Sequence, residues 1–547
     1  MTEKREKKDY DLVIVGAGIS GLYTLYKLSK LYKTLKIILL EANERYGGRI
    51  YTYKEVIDDK EYIMDLGAGR LGYDHKLIVG LIKELGLSNK IINIENTKTY
   101  IEVHNSKSVD KTKLKDQIMA KLYKFLDSSS KLGKTFLQKI YFNELITKYC
   151  GVKFSQKLEN MFEYSADLNK LNAYNAINYF KYDYNDAKYF TLNGGIGQII
   201  ERLLEKIKGS NSRTIKIENL SNVENISYKN NRFHIEISDF RNKNVNTSIK
   251  KSISSKCVIC ALPKDSLEKF DICKPLARDL SKINNINLLR IFEVYNKENG
   301  SMWFQNIQKT VTNTNLQYVI PISLGNGLIM SSYSDCKNAN YWNSLLTNKG
   351  INVVKAKLNA ALNQLFSIYN IAVPQSKYIK MHYWEAGVAY WKKNVDSDKV
   401  SEKLLNPFPR FYIIGENYSR YQAWAEGALM TAELCIEKLA FNNFRKTRKT
   451  LTTKYNKKEL KELKGGIKGT LASFTLQEVK KHNTINDAWI IIKGKVYDVT
   501  SWIPKHPGGK IILQGIGKDA SSLFKNYGHP KYVEKTILPK YYIGKLV

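Results

Sequence analysis

Apolar residues run together in Leu12-Val13-Ile14-Val15, give way to Gly16-Ala17-Gly18-Ile19-Ser20-Gly21, and then recur at helical spacing as Leu22, Leu25 and Leu28 in a run to Tyr32. A second apolar run, Ile37-Ile38-Leu39-Leu40, ends on Glu41. A short apolar run bounded by glycine predicts a buried strand, and the 3.6-residue period after it predicts a helix packed on that strand. The stretch therefore predicts half of a βαβ unit and an α/β fold class. The pattern next predicts a hairpin from Tyr51 to Ile63, a mainly helical polar region from His75 to about Tyr189, and an amphipathic helix ending at Lys208. Strands are predicted at Leu220 to Tyr228, Phe233 to Ser238 and Val258 to Leu262, then mixed strand and helix from Lys264 to Leu404. Phe411-Tyr412-Ile413-Ile414 runs into Gly415-Glu416, and Trp424 to Leu439 reads as a helix. Near the end, Asp487 to Thr500 predicts two strands around a turn, with a helix starting from Lys510.

The first unit has the spacing of a dinucleotide site. Gly16 allows a tight turn, Gly18 omits a Cβ where a pyrophosphate approaches, and Gly21 lets the helix lie close to the strand. The phosphates would sit on the helix N-terminus, where unpaired N–H groups and the macrodipole favour negative charge. Glu41 stands where an acid takes the ribose hydroxyls, which argues against a 2′-phosphate.

Charge and cysteine content narrow the classes. The formal charge is +35, from 87 basic and 52 acidic side chains. Such an excess suits an anionic partner, although abundant Lys, Asn, Ile and Tyr also fit an AT-rich coding sequence. No aromatic-interleaved basic module predicts specific nucleic-acid binding. Six cysteines are too sparse for a disulfide framework in 547 residues. Cys257 and Cys260 lie three apart on a strand, so they point to opposite faces and are expected as core thiols rather than metal ligands. No run of eighteen apolar residues predicts a membrane span, and no cleavable leader is evident, so the expected setting is cytoplasmic.

The stretch Glu41-Ala42-Asn43-Glu44-Arg45-Tyr46-Gly47-Gly48-Arg49 resembles the flavoprotein amine oxidase family, and the resemblance extends over roughly residues 9 to 440. It implies FAD, with Gly48 and Arg49 at the diphosphate, Val223 at the adenine, and Gly415 and Glu416 near the ribityl chain. It also implies that Glu426, Gly427 and Ala428 open a helix aimed at the flavin ring. The implied architecture is a discontinuous Rossmann-like FAD domain, residues 9–75, 190–265 and 405–440, interleaved with a substrate domain, residues 76–189 and 266–404. Gly67-Ala68-Gly69-Arg70 resembles L-amino acid oxidases, in which the arginine grips the substrate carboxylate. A guanidinium fork matches a carboxylate in a bidentate pair. The implied reaction moves a hydride from the substrate Cα to the flavin, and water then releases a 2-oxo acid and ammonia.

Tyr390 and Trp424 resemble the family's aromatic pair beside the substrate. Ala389 stands where monoamine oxidases carry a flavin-bonded cysteine, so FAD is expected to be non-covalent. Where many members have a lysine near the ring, this chain has Arg290, which cannot act as a proton-accepting amine. Two other readings remain open at this point: a polyamine or monoamine oxidase, and an inactive scaffold.

Residues 471–547 resemble cytochrome b5, with His506 in His506-Pro507-Gly508-Gly509 and His529 in Gly528-His529-Pro530 as the implied axial ligands of haem b. Two axial imidazoles close the iron to oxygen and suit electron transfer, so either O2 or the haem is expected to accept the electrons. Residues 441–470 are expected to be a basic linker, with ten Lys or Arg from Phe444 to Lys468 against Glu459 and Glu462. Oligomeric state is left open, a homodimer included.

Overall fold

The computed structural model describes residues 9–443, apart from 130, 184–186, 211–213 and 242–247, and residues 472–546, apart from 501, 504, 505, 507, 528 and 530–532. The chain divides into two units, Met1–Leu463 and Lys464–Val547. The basic stretch from Phe444 to Lys468 lies outside the described residues.

The first sheet of the larger unit is seven-stranded, in the order Ile215–Glu218, Ile37–Leu40, Asp9–Val15, Ile249–Cys260, Arg232–Asp239, Ser221–Lys229, with Phe411–Ile413 beside Ile249–Cys260. The apolar runs form its parallel centre: Leu12 to Val15 pair with Ile37 to Leu40 on one side and with Cys257 to Cys260 on the other. Both faces are covered, which is why these strands are continuous apolar runs instead of alternating ones. Leu12, Ile14, Leu39 and Cys257 face a core built with helices Ile19–Leu31, Gln198–Lys208 and Ala425–Asn443. Val13, Val15, Leu40 and Cys260 face a second core with Leu267, Leu276 and Leu404. Cys257 and Cys260 thus fall on opposite faces, both buried, and burial pushes the Cys257 thiol up to about 12.

The second sheet is also seven-stranded and runs Tyr378–Trp391, Ile283–Val294, Leu328–Asp335, Tyr318–Ser323, Lys309–Thr312, Lys98–His104, Lys107–Asp110. Leu289, Ile291, Val319 and Ile329 pack on helices Cys336–Lys349 and Ile351–Phe366. Tyr100, Val311 and Tyr318 join a core of helices between Thr112 and Asp183, and that core also takes Tyr390 and Trp424. The region from His75 to Tyr189 is mainly helical, as its pattern predicts, with short strands ahead of the helix Thr112–Ser129. Among these strands, Ile91–Ile94 pairs with Tyr189–Leu192, Lys98–His104 pairs in parallel with Lys309–Thr312, and Lys107–Asp110 pairs with Lys98–His104.

The smaller unit has a five-stranded sheet, Ala472–Phe474, Tyr542–Leu546, Lys495–Asp498, Asp487–Ile492, Asn483–Thr484. Ile490, Ile492, Tyr497, Val499 and Leu538 make its core. The helix expected from Lys510 is present as the 3₁₀ segment Gly509–Gly515. Among the described residues no helix is long and apolar enough to cross a membrane.

Candidate functional site

A cleft of about 900 Å³ opens at the C-terminal ends of the parallel strands, the usual ligand position in such sheets. Gly16, Gly18, Glu41, Gly48, Arg49, Gly67, Ala68, Val223, Gly415, Glu416 and Ala428 all line it. Gly16 has φ +100°, and a Cβ there would meet the Ala261 carbonyl oxygen at 2.5 Å, so the tight turn demands glycine. Gly18 precedes the Ile19–Leu31 helix without a side-chain cap, and a Cβ on it would meet nothing within 4 Å. Uncapped first-turn amides beside open space are what a diphosphate needs. The Glu41 carboxylate accepts from Ala17 N at 2.7 Å and Asn43 N at 3.0 Å, which fixes it at the strand end.

Among the residues predicted around the dinucleotide, Gly21, Glu426 and Gly427 line neither this cleft nor the cavity beside it. Gly21 serves close helix packing, as its place in the motif predicts: a Cβ would lie 2.0 Å from the Gly16 oxygen. Gly427 is pressed against the Tyr421 carbonyl, 1.7 Å from where its Cβ would be. Glu426 turns to the neighbouring helix Lys76–Glu84, accepting from Leu77 N and Ile78 N at 2.9 Å each. A carboxylate buried at the start of one helix is drawn to the unpaired amides of another.

Arg49 and Glu416 have a geometry the sequence did not disclose. Arg49 Nη1 donates to Glu416 Oε2 at 2.6 Å and to the Gly387 carbonyl at 3.1 Å. Glu416 also accepts from Ala389 N at 3.1 Å and Ala423 N at 2.7 Å. This buried carboxylate ties three walls of the cleft together, so its role includes holding the cleft in shape.

A second cavity, of about 400 Å³, adjoins the cleft through shared lining that includes Ala68, Arg290, Tyr333, Val388 and Trp424. Arg70 lines this cavity and not the larger cleft. Its guanidinium lies 4.7 Å from the Tyr189 ring centre, 5.4 Å from Trp424 and 5.6 Å from Tyr164. Tyr189 and Trp424 are stacked at 5.7 Å, and the His75 ring meets Trp424 edge-on at 4.7 Å. Arg290 is buried in the shared wall, donating from Nη1 to the Asp65 carbonyl at 2.6 Å, with its guanidinium 4.3 Å from the Tyr333 ring centre. Tyr390 lines the second cavity and donates its hydroxyl to Asp167 Oδ1; burial, then the Asp167 charge, raises the phenol well above its ordinary range.

Asp167, Tyr164, Tyr189, Tyr333 and His382 carry no local motif, and the fold alone gathers them. His382 lines the larger cleft, and burial followed by the charges of Arg45, Lys380 and Arg290 pushes its imidazole down to about 4, so it is neutral at physiological pH. Its Nε2 and the Nε1 of Trp424 are buried without a hydrogen-bond partner among the described residues. Two orphaned polar atoms, the open space at Gly18 and the uncapped helix fit a large polar cofactor in this cleft.

The sequence from residue 19 to residue 435 matches the family model of flavin-containing amine oxidoreductases. The chain belongs to this family. FAD is therefore the cofactor of this amine oxidoreductase, and its residues 475–547 match the cytochrome b5-like haem/steroid binding domain, which brings haem b. Over 78 residues it is 56% identical to an acyl-lipid (8-3)-desaturase of Physcomitrium patens, covering 14% of this chain and 16% of that one. Over 74 residues it is 47% identical to cytochrome b5 isoform D of Arabidopsis thaliana, covering 13% of this chain and 52% of that one. The chain thus spans about half, or far less, of the curated relatives it matches. Among solved structures, a putrescine oxidase double mutant is similar at a TM-score of 0.59 and 15% identity, covering 79% of this chain and 99% of that one, a likeness of fold.

In the smaller unit the His506 and His529 ring centres are 6.1 Å apart. A metal held by one nitrogen of each ring at about 2 Å, plus the inner half of each ring, requires a separation of about 6 Å. His506 Nδ1 lies 3.1 Å from the Gly509 carbonyl and His529 Nδ1 lies 2.9 Å from the Phe524 carbonyl. Such contacts fix the tautomer with Nδ1 protonated and leave each Nε2 as a ligand. These two residues fit a haem iron.

Proposed function

We propose that this amine oxidoreductase oxidises an L-amino acid to a 2-oxo acid and ammonia, Arg70 binding the substrate carboxylate. The observation that carries this reading is a guanidinium framed by aromatic faces on the wall of a cavity that adjoins the cofactor cleft. Aromatic rings flank the guanidinium on this wall, and a guanidinium fork matches a carboxylate in a bidentate pair. Gripping that end turns the substrate Cα–H toward the shared wall, and positioning of this kind lowers the barrier substantially. When bound, FAD supplies a two-electron acceptor for the hydride from that carbon. Arg290, fixed in the shared wall by the Asp65 carbonyl and the Tyr333 ring, would favour a bound acceptor that gains negative charge on reduction. Tyr390 keeps its proton, its hydroxyl already engaged by Asp167, and serves with Trp424 as a shaped wall that excludes water.

Oxidation of a simple amine or polyamine is the second reading. It draws on the carboxylates of Asp65, Asp167 and Asp335 along the cavity and on the likeness to putrescine oxidase.

The test is an anaerobic absorbance scan of the purified holoenzyme against the twenty amino acids and common polyamines. Bleaching of the flavin by amino acids supports the reading, and a Soret shift following it reports electron transfer to the haem. Arg70→Met should raise the half-saturating amino-acid concentration roughly a hundredfold or more, the worth of a bidentate charged pair, with FAD retained. Unchanged turnover by that variant rejects the assignment.

A further inference from the structure

The second cavity holds cationic charge that the carboxylate grip of Arg70 does not exhaust. Lys309 opens the strand Lys309–Thr312, and the parallel register sets Lys98 directly across from it. Glu163 answers part of this charge: its buried carboxylate takes Lys98 at 2.7 Å and Lys115 at 3.2 Å. Those two ammonium groups already outnumber it. Lys309 lines the cavity with Arg70, and its ammonium is held by the main-chain carbonyl of Glu95 rather than by a carboxylate.

Four carboxylates share the wall: Glu95 acts on Lys309, and Asp65, Asp167 and Asp335 are engaged by neutral donors. Asp65 accepts from Thr52 Oγ1 and from Ile196 N. Asp335 accepts from Ser165 Oγ, Ala166 N and Gln317 Nε2, and Asp167 accepts from Tyr390. Burial, then the charges of Lys98 and Arg70, pushes the Lys309 ammonium down to about 8, with Glu95 opposing them. An anion seated beside it would relieve that repulsion and restore its charge.

We propose that Lys309 reads a second acid group on the substrate, so that, on the amino-acid reading this rests on, the cavity prefers a dicarboxylic α-amino acid to a neutral or basic one. Arg70 takes the α-carboxylate and Lys309 the side-chain acid. Lys309 and Arg70 would each repel an ammonium placed beside it, which sets them against the wall carboxylates in the choice between a diacid and a diamine.

The experiment follows anaerobic flavin reduction in the full-length holoenzyme by L-glutamate, L-aspartate, L-leucine, L-lysine and putrescine, in the wild type and in Lys309→Met and Lys309→Arg. The acidic substrates should saturate at the lowest concentrations. Lys309→Met should raise the half-saturating concentration of L-glutamate or L-aspartate roughly tenfold to a hundredfold, the range of one charge-assisted hydrogen bond. L-Leucine should be unaffected by that change, and Lys309→Arg should restore the acidic preference. In the wild type the half-saturating L-glutamate concentration should climb as the pH rises through about 8, and this readout needs no substitution to fold. L-Leucine reducing the flavin as well as the acidic substrates do, or Lys309→Met weakening all amino acids alike, overturns the role of Lys309 and leaves the amino-acid reading standing. Reduction by putrescine and by no amino acid overturns both.

Discussion

Removing the Glu426 carboxylate should loosen a helix and leave flavin affinity nearly intact. The carboxylate accepts from Leu77 N and Ile78 N at 2.9 Å each, while the N-cap residue of that helix, His75, offers no side-chain cap. Glu426→Ala orphans both amides. With roughly 1 kcal/mol for the half-buried Leu77 donor and roughly 2 kcal/mol for the buried Ile78 donor, the loss is about 3 kcal/mol. Glu426→Gln keeps one acceptor oxygen and should lose about half of that. Burial already raises the Glu426 carboxyl above its ordinary value, so the amide form suits the site better than its chemistry alone suggests. Hydrogen exchange by mass spectrometry reads the effect directly. Peptides spanning Lys76–Glu84 should exchange roughly a hundredfold faster in Glu426→Ala and roughly tenfold faster in Glu426→Gln, at 1.4 kcal/mol per decade. The FAD dissociation constant should move no more than about threefold, since an outward-turned side chain makes no cofactor contact to lose. Unchanged exchange in this helix together with a hundredfold loss of FAD affinity would refute the reasoning and return Glu426 to the cofactor.

Gly18→Ala should fold normally and lose FAD affinity roughly tenfold or more, because its Cβ would occupy ligand space, while Gly21→Ala should destabilise the unit by about 1–3 kcal/mol through collision with the Gly16 carbonyl; calorimetry and flavin titration separate the two, and equal behaviour would contradict the assignment. Acid precipitation should release FAD into the supernatant, since Ala389 carries no nucleophile and no described cysteine lines either cavity; flavin remaining in the pellet would show a covalent bond. Burial opposes ionisation of Glu84, but Lys27 at 2.7 Å and Lys30 at 2.6 Å outweigh it and hold the carboxyl down to about 2 from 4.5. The folded value is depressed, so this contribution is fully present above about pH 4.5 and disappears as pH falls through 2; Glu84→Gln should flatten that limb of the acid unfolding curve.

What was legible in the sequence was local. The strand, turn and helix around Gly16 to Leu31 were readable because period, glycine spacing and the terminal acid all act within one unit. His506 and His529, which fit a haem iron, were readable for the same reason. Strand Lys98–His104 was not, since its parallel partner Lys309–Thr312 lies about two hundred residues on and its polar residues read as loop. Site residues divided along the same line. Arg70 follows a glycine motif and could be singled out, whereas Asp167, Tyr333 and Lys309 enter the second cavity only through the tertiary fold. Glu426 was misjudged because a position at a helix start specifies the turn but not which neighbour its side chain reaches.

The strand Phe411–Ile413 pairs with Val258 to Cys260 in the heart of the first sheet. During synthesis the finished edge of that sheet must wait for a piece of chain about 150 residues downstream, which at 5–20 residues per second is a delay of roughly 8–30 seconds. Throughout that interval Val258, Ile259 and Cys260 present unpaired amides and carbonyls to the surroundings. A nascent chain arrested there would be a natural client for holding factors, and a ribosome-stalled fragment ending near residue 400 should aggregate where one carrying the third return of the chain does not.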